Sequence, residues 1–450
     1  MSSTKTEAVF VIRGGTPLRG CVRAGGAKNA SYKLMIAALL GSDESRLLNL
    51  PNISDVTMVS EVMQSLGAEV VSAGEQTLFI RPQGLNSAQI ATEYGEASRA
   101  STLFLGPLLA KFGRAELPLP GGDKIGKRPL ERHLDGLQAM GVTLTQENGI
   151  LLAQTQGLKG TTYRFNKNTH TGTETLILAA VLAQGKTVLE NAAEEPEVDD
   201  LITFLNAMGA RIRRRAFRVI EIEGVTHLTG AIHKIMPDRN EVVSYACGAI
   251  ASKGDIVVEN ARAEDLTAFL TKLQEAGAGF EVGQYGIRFF YQGALRATDV
   301  ETQIHPGFMT DWQPLWATLV CQAEGDSIIH ETVMQNRFQY VETLVKMGAK
   351  ILPLQPRVPN PDEFYNFEWA DSQPNDIHAI KISGPTLFLG GEFAVHDLRA
   401  GATTLLAAIS GTGTTTLHQI EQIERGYQNL ETKLRSLGAN IERKIISVID

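Results

Sequence analysis

Apolar positions along this chain fall into two alternating kinds of run. Six stretches are apolar on nearly every helical face: "ASYKLMIAALLG", "ASTLFLGPLLAKFG", "TETLILAAVLAQG", "VVSYACGAIASKG", "WQPLWATLVCQAEG" and "AGATTLLAAISG". Each runs to a glycine, at Gly41, Gly113, Gly185, Gly254, Gly325 and Gly411, at intervals of 72, 72, 69, 71 and 86 residues. A helix that is apolar all round is one the fold surrounds. Six other stretches, "MQSLGAEV", "LQAMGVTL", "LNAMGARI", "LQEAGAGFEV", "LVKMGAKI" and "LRSLGANI", end amphipathic helices at a glycine suited to a left-handed cap, with a strand following. These predict outer helices. Strands such as "TVLENAA" and "DIVVENA" separate the two helices of a unit, and hairpin-like pairs such as "ARIRRRAFRVIEIEG" follow the second helix.

Each unit therefore reads as two helices and three or four strands, repeated six times. The pattern predicts an α/β protein of two domains, each of three repeated units with buried helices surrounded by sheets. The wider last interval comes from "PLQPRVPNPDEFYNFEWADSQPNDIHAI". Rich in Pro, Asn and Asp, it reads as a loop inserted at about 353–380, on the surface and away from any chemistry.

Composition narrows the class. The chain has 450 residues, 43% of them hydrophobic and 20% charged, which suits two domains rather than one small core. No apolar run approaches bilayer-spanning length, and "MSSTKTEAVF" lacks the apolar centre of a secretory signal, so a cytoplasmic enzyme or binding protein is expected, with no membrane partner. Cys21, Cys247 and Cys321 lie far apart with no metal-ligand spacing, so neither disulfides nor a metal site are predicted. A net charge of -8 argues against nonspecific nucleic-acid binding. Any basic cluster is then local and aimed at a small anion.

Such clusters recur where the buried helices begin. The segments entering them carry Lys28 and Asn29, Arg99, Thr171 and Gly172, Arg239, Asp311, and Arg399. A helix N-terminus offers free N–H groups and a partial positive charge. Any one of these residues alone reads as a cap or a solvated charge; their recurrence at equivalent places points to an anion site. "LPGGDKIGKRPLERHL" (119–134) adds a glycine-rich loop, with Pro129 at a first helical position and Arg128 at the helix mouth. It lacks the GxxxxGK[ST] spacing, and nothing matches GxGxxG, so nucleotide hydrolysis and dinucleotide binding lose support. His133, His170 and His305 have no evident serine nucleophile.

At "GGAKNA" (25–30), "SRAS" (98–101), "PGGDKIGKRP" (120–129), "NAAEEPEV" (191–198), "TDWQ" (310–313), "NRF" (336–338), "DLRA" (397–400) and "ERGYQNLETKLRSLGANIER" (424–443), the sequence resembles the UDP-N-acetylglucosamine enolpyruvyl transferases of the EPSP synthase superfamily. The matches run in order along essentially the whole chain. The resemblance implies two inside-out α/β barrel domains, residues 28–235 and residues 1–27 with 236–450. It implies transfer of the enolpyruvyl group of phosphoenolpyruvate to the 3'-hydroxyl of UDP-N-acetylglucosamine, releasing phosphate, by addition and elimination through a tetrahedral ketal. That is the first committed step of peptidoglycan precursor synthesis, and no cofactor is implied.

Carried over by position, Lys28, Arg128 and Arg399 would hold the phosphate, and Arg399 with Arg425 the carboxylate, where bidentate guanidinium geometry fits. Asp311 matches the base that takes the sugar hydroxyl proton, and Asp123 stands where the methylene carbon is protonated. Many members carry cysteine there, which fosfomycin alkylates. A carboxyl forms no thioether, so fosfomycin insensitivity is expected. Asn29, Arg99 and Glu195 match sugar- or intermediate-contacting positions; Arg128, Pro129, Leu130 and Glu131, then His170, Thr171 and Gly172, and Val333 match stretches around the uridine and diphosphate. Arg337 matches a supporting residue. Glu195 beside Pro196 also reads as a helix cap, and Asp397 as a residue that orients Arg399.

Three places depart from the family pattern: Lys33 where members are apolar, "NTHTGTET" (168–175) where members have a lysine followed by "SVGATEN", and "NEVVS" after "PDR". All lie on the nucleotide-sugar side. Two rival readings stand beside the main one: an enolpyruvyl transferase acting on another nucleotide or nucleotide sugar, and a catalytically silent UDP-sugar-binding regulator. The second would be marked by loss of Lys28, Asp311 or Arg399, and all three are present.

Overall fold

The six apolar runs form helices at the centre of two separate cores: α1 Lys28–Ala38, α2 Leu105–Phe112, α3 His170–Ala180, α4 Arg239–Ala251, α5 Gln313–Val320 and α6 Leu398–Ser410. The computed structural model describes residues 5–74, 76–97, 99–119 and 130–448. Every residue of α4 and α5 is buried, which accounts for the missing polar stripe. The glycines that close the apolar runs serve the next element as often as the helix. α3 stops at Ala180 and Gly185 stands just before the strand Lys186–Glu190; α5 stops at Val320 and Gly325 opens Gly325–His330. Gly113, by contrast, is the left-handed C-cap of α2.

Among the described residues, one compact unit spans Gly25–Met236, and the other joins the residues up to Ala24 to those from Pro237 onward. The family resemblance implies crossings near residues 27 and 235. In the first unit α2 packs directly on α3. A Cβ on Gly106 would stand 2.8 Å from the Leu178 Cβ, so only glycine lets these two backbones approach so closely. In the second unit α4, α5 and α6 pack mutually. Phe269, Phe308, Trp312 and Trp316 fill the space beside them, Phe308 standing edge-on to Trp312 at 5.5 Å between centroids.

Three sheets surround each set of helices. Within a repeat, the strand after the central helix pairs antiparallel with a hairpin that follows the outer helix, as Lys186–Glu190 pairs with Val219–Glu223 and that with Arg211–Ala216. The strand that leaves each repeat then joins the next sheet in parallel. After the third repeat, Ile232–Lys234 returns to pair in parallel with Ser45–Leu48 of the first, closing the set of three. In the second unit, no second hairpin strand follows Asn440–Val448 in the sixth repeat among the described residues. The strand Lys5–Arg13 takes that place, antiparallel to both Thr414–His418 and Asn440–Val448.

The six outer helices end as their sequence predicts. At the first, the Gly67 N–H donates to the Gln64 carbonyl and the Ala68 N–H to the Met63 carbonyl, with Gly67 at φ 98°. Gly141, Gly209, Gly277, Gly348 and Gly438 repeat the positive φ. Among the described residues no helix is long and apolar enough to cross a membrane.

The inserted segment links the paired strands Lys350–Leu354 and Ala379–Gly384. Most of it is exposed or half-buried and has little regular structure, but Tyr365, Phe367 and His378 are buried. Tyr365 stacks on Trp369 at 5.0 Å, and the His330 Nε2 lies 3.0 Å from the Tyr365 hydroxyl. Aromatic side chains spaced through a Pro- and Asn-rich stretch gave it a small core of its own.

Candidate active site

Among the residues from Pro237 onward, three central helices each open beside a carboxylate, Asp238, Asp311 or Asp397. Asp238 caps α4 by accepting from the Asn240 and Glu241 N–H groups. That leaves Arg239 as the first helical residue, 2% exposed, its Nη1 donating to the His305 Nδ1 at 3.1 Å and its guanidinium lying over Trp312. Asp397 caps α6 in the same way through the Arg399 and Ala400 N–H groups, both at 2.9 Å. Its carboxylate thus sets Arg399 through the backbone rather than through the guanidinium, because a helix N-terminus leaves those donors to be satisfied.

Arg399 is 5% exposed and donates from Nη1 to the Tyr427 hydroxyl at 2.8 Å; that hydroxyl also meets the Ser244 Oγ at 2.6 Å. Burial disfavours the guanidinium charge, but Tyr427, Asp311 and Asp238 outweigh it and hold its pKa above the ordinary arginine range. Asp311, just before α5, has its Oδ2 at 3.6 Å from the Arg399 Nη2, while its Oδ1 accepts from the Arg337 Nη2 at 2.6 Å. Arg337 donates also to the Thr310 hydroxyl at 2.9 Å. A carboxylate held between two guanidiniums keeps a fixed direction, which a proton acceptor needs. Arg425, half-buried, ends the short helix Glu421–Glu424 two residues before Tyr427.

Val333 is placed by its backbone. Glu331, fully buried, accepts from the N–H groups of Val333 and Met334 at 2.8 and 2.9 Å, and from the Thr302 and Thr310 hydroxyls at 2.9 and 2.8 Å. Burial pushes its carboxyl up, with Arg337 and these donors pulling the other way. Sequence reading passed over Glu331 and Tyr427; for Tyr427 the only signal was its position inside the "ERGYQN" match.

In the Gly25–Met236 unit, Lys28 is the first residue of α1 and Asn29 the second, both half-buried. The Lys28 Nζ meets the Asp55 Oδ2 at 2.8 Å, a partner on the outer helix Ser54–Ser65 that sequence spacing did not reveal. Thr169 caps α3, accepting from the Gly172 N–H at 3.2 Å, so His170, Thr171 and Gly172 form its first turn. Lys33, 1% exposed, places its Nζ 2.7 Å from the Glu174 Oε2 and 3.0 Å from the His170 Nε2. That same imidazole nitrogen is 3.1 Å from the Glu174 Oε1. The imidazole would be pushed down by burial; Glu174, with Glu195 adding to it against Lys33, raises it above its ordinary range. The departures at position 33 and in "NTHTGTET" are therefore one cluster.

Glu195 occupies the cap position of Pro196–Ala207 but makes no side-chain cap bond, and its Oε2 is buried without a hydrogen-bond partner among the described residues. Leu130 precedes the helix Glu131–Ala139, whose first residue is exposed. Asp123, Arg128 and Pro129 lie outside the described residues, as does the side chain of Arg99, whose backbone opens the short 3-10 helix Arg99–Phe104.

The repeated sheets around buried helices, with carboxylates and buried arginines where those helices begin, define a member of one family. The profile of EPSP synthase (3-phosphoshikimate 1-carboxyvinyltransferase) matches residues 12–434, and the chain belongs to that family. Among curated relatives, the UDP-N-acetylglucosamine 1-carboxyvinyltransferase of Acidobacterium capsulatum is 40% identical over 438 residues, covering 96% of this chain and 95% of that protein. The protein of the same name from Halothermothrix orenii is 39% identical over 434 residues, covering 96% and 99%. Among solved structures, the enolpyruvyl transferase NikO from Streptomyces tendae superposes with a TM-score of 0.85 at 23% identity, covering 98% of this chain and 100% of that one. An EPSP synthase from Acinetobacter baumannii gives 0.71 at 19%, covering 97% and 100%.

Proposed function

We infer that this chain is an enolpyruvyl transferase that moves the enolpyruvyl group of phosphoenolpyruvate onto the 3'-hydroxyl of UDP-N-acetylglucosamine, with release of phosphate, as a step of peptidoglycan precursor synthesis. Relatives of that name at 37–40% identity over 96% of the chain support it. The observation that carries the chemistry is Asp311 between Arg337 and Arg399 at the start of a buried helix.

The reaction needs a base at the attacking hydroxyl, cations on a phosphate and a carboxylate, and an acid at the methylene carbon. Asp311 takes the hydroxyl proton as the sugar oxygen bonds to the second carbon of phosphoenolpyruvate, and Asp123 delivers a proton to the methylene. Elimination then reverses the proton transfer at that methyl and expels phosphate from the tetrahedral ketal. Lys28, Arg128 and Arg399 hold the phosphate, and Arg399 with Arg425 the carboxylate. Such charge-assisted contacts neutralise the anion without moving a proton. Asn29, Arg99, Glu195, His170, Thr171, Gly172 and Val333 contact the nucleotide sugar, and the unpartnered Glu195 Oε2 suits a sugar hydroxyl donor. Both substrates are phosphorylated metabolites, so the reading goes with a cytoplasmic enzyme.

One observation favours a second reading, a different nucleotide or nucleotide-sugar acceptor: Lys33, Glu174 and His170 are paired among themselves at the first turn of α3. The deciding experiment is phosphate release from phosphoenolpyruvate with UDP-N-acetylglucosamine and a panel of other uridine nucleotides, for wild type and Asp311→Ala. Turnover with UDP-N-acetylglucosamine that Asp311→Ala abolishes is expected. Turnover with another acceptor alone would select the second reading.

A further inference from the structure

The inserted segment connects two paired strands that other repeats join with two residues, Asn148–Gly149, Phe217–Arg218 and Gln284–Tyr285. Here Gln355 to His378 does the same job. A connection of that length carries an ordering cost that grows with each residue fixed, so the contacts that hold it matter.

Those contacts converge on one neighbouring stretch, Glu331 to Arg337. The Asn366 N–H donates to the Thr332 carbonyl at 2.8 Å, and the Ile377 N–H to the Asn336 Oδ1 at 3.1 Å. The Gln335 Nε2 donates to both the Asp371 carbonyl at 2.8 Å and the Asp376 Oδ2 at 2.6 Å, with Gln335 and Asp376 both buried. The Glu331 N–H donates to the His378 carbonyl at 2.8 Å. Two residues beyond Gln335, Arg337 holds the Asp311 Oδ1, and its carbonyl accepts from the Gln313 side chain in the first turn of α5. Val333 and Met334, between these points, have their N–H groups fixed on Glu331.

We propose that the inserted segment is a brace for the active site: through the Asp376–Gln335 contact it fixes the 331–337 stretch, and through Arg337 the direction of the Asp311 carboxylate. Gln335 and Asp376 are positioning residues, remote from the reacting atoms. The proposal rests on the transfer reading above. The Asp376 Oδ2 also accepts from the Gln373 N–H at 2.8 Å, so this one carboxylate ties the backbone of the inserted segment to Gln335, and removing either side chain takes away a buried, charge-assisted hydrogen bond. Small misplacement of a base is costly to rate, about a hundredfold for about 1 Å.

The test compares wild type, Gln335→Ala, Asp376→Ala and Asp376→Asn, the last of which keeps an oxygen for the Gln335 amide. Phosphate release gives kcat and KM, hydrogen exchange reads the amides of Val333 and Met334, and thermal melting checks folding. The two alanine variants are expected to melt as folded proteins, lose about ten- to a hundredfold in kcat, keep KM for phosphoenolpyruvate within about twofold, and exchange faster at 331–337. Asp376→Asn is expected to restore most of the rate. Folded alanine variants with wild-type kcat, or with unchanged exchange at 331–337, overturn the brace. If wild type releases no phosphate with any acceptor, the transfer reading fails by itself, and the exchange arm still decides whether the segment fixes this stretch.

Discussion

Lys33 shows what a single residue can hide in an apolar pattern. It lies inside a run that otherwise reads as core, and its partner Glu174 lies far along the chain in another such run, so spacing could not pair them. Taking one member of a buried ion pair away strands the other charge, at roughly 3–5 kcal/mol, whereas replacing both with apolar groups is often neutral. Glu174→Gln is therefore expected to lower the urea midpoint of the folded protein clearly, and Lys33→Met with Glu174→Leu to recover much of that loss. His170 adds a pH dependence. Its pKa is raised above that of an unperturbed histidine, about 6.5, so its contribution to stability is present below that value and lost as pH rises through the folded pKa. Unfolding midpoints measured from pH 6 upward should fall for wild type and stay flatter for Glu174→Gln. At Asp311, Asp311→Asn is expected to cut phosphate release by about 10²- to 10⁴-fold with the fold unchanged, the range for removing a positioned base. At Asp123 the expectation is that fosfomycin leaves the enzyme unlabelled by mass spectrometry, because a carboxylate forms no thioether.

Elements were far more legible than side-chain partners, because a helix writes its boundaries locally. The glycine ending each outer helix announced both the stop and the left-handed backbone, and all six have positive φ. A Cβ in that conformation costs roughly 1–2 kcal/mol. Gly438→Ala should lower the unfolding free energy of the unit that contains Leu430–Ser436 by that amount, read from denaturant titration by the fluorescence of Trp312 and Trp316, which are buried in the same unit. The insertion was legible as an interruption of the repeat but not in its role. Its contacts run from backbone groups and two polar side chains to a stretch 34 to 47 residues earlier, and such pairings leave no periodic trace. Asp55 escaped notice for the same reason: an acidic residue in a first helical turn usually complements the helix dipole, and here it also pairs with Lys28.

At the scale of the molecule, each unit has its own continuous apolar cluster. The strand Lys5–Arg13 contributes Val9, Phe10 and Ile12, all buried, to the second unit alone. Deleting residues 1–13 should therefore depress the thermal transition of the Pro237-onward unit while leaving that of Gly25–Met236 in place, as separate transitions in calorimetry would show. The sequence reading placed this strand with the later half of the chain, but only the register shows that it fills the gap in the sixth repeat.

That register also sets a timetable. Phe10 lies opposite Leu417 and Arg443 in the finished sheet. A ribosome working at about 5–20 residues per second reaches those partners some 20 to 80 seconds after the strand has emerged. Throughout that interval Gly25–Met236 can complete its own ring of three sheets, while the first strand waits as an unpaired β-edge, open to capture by another nascent copy or by a chaperone. A strand made long before its partners is among the last to find its place.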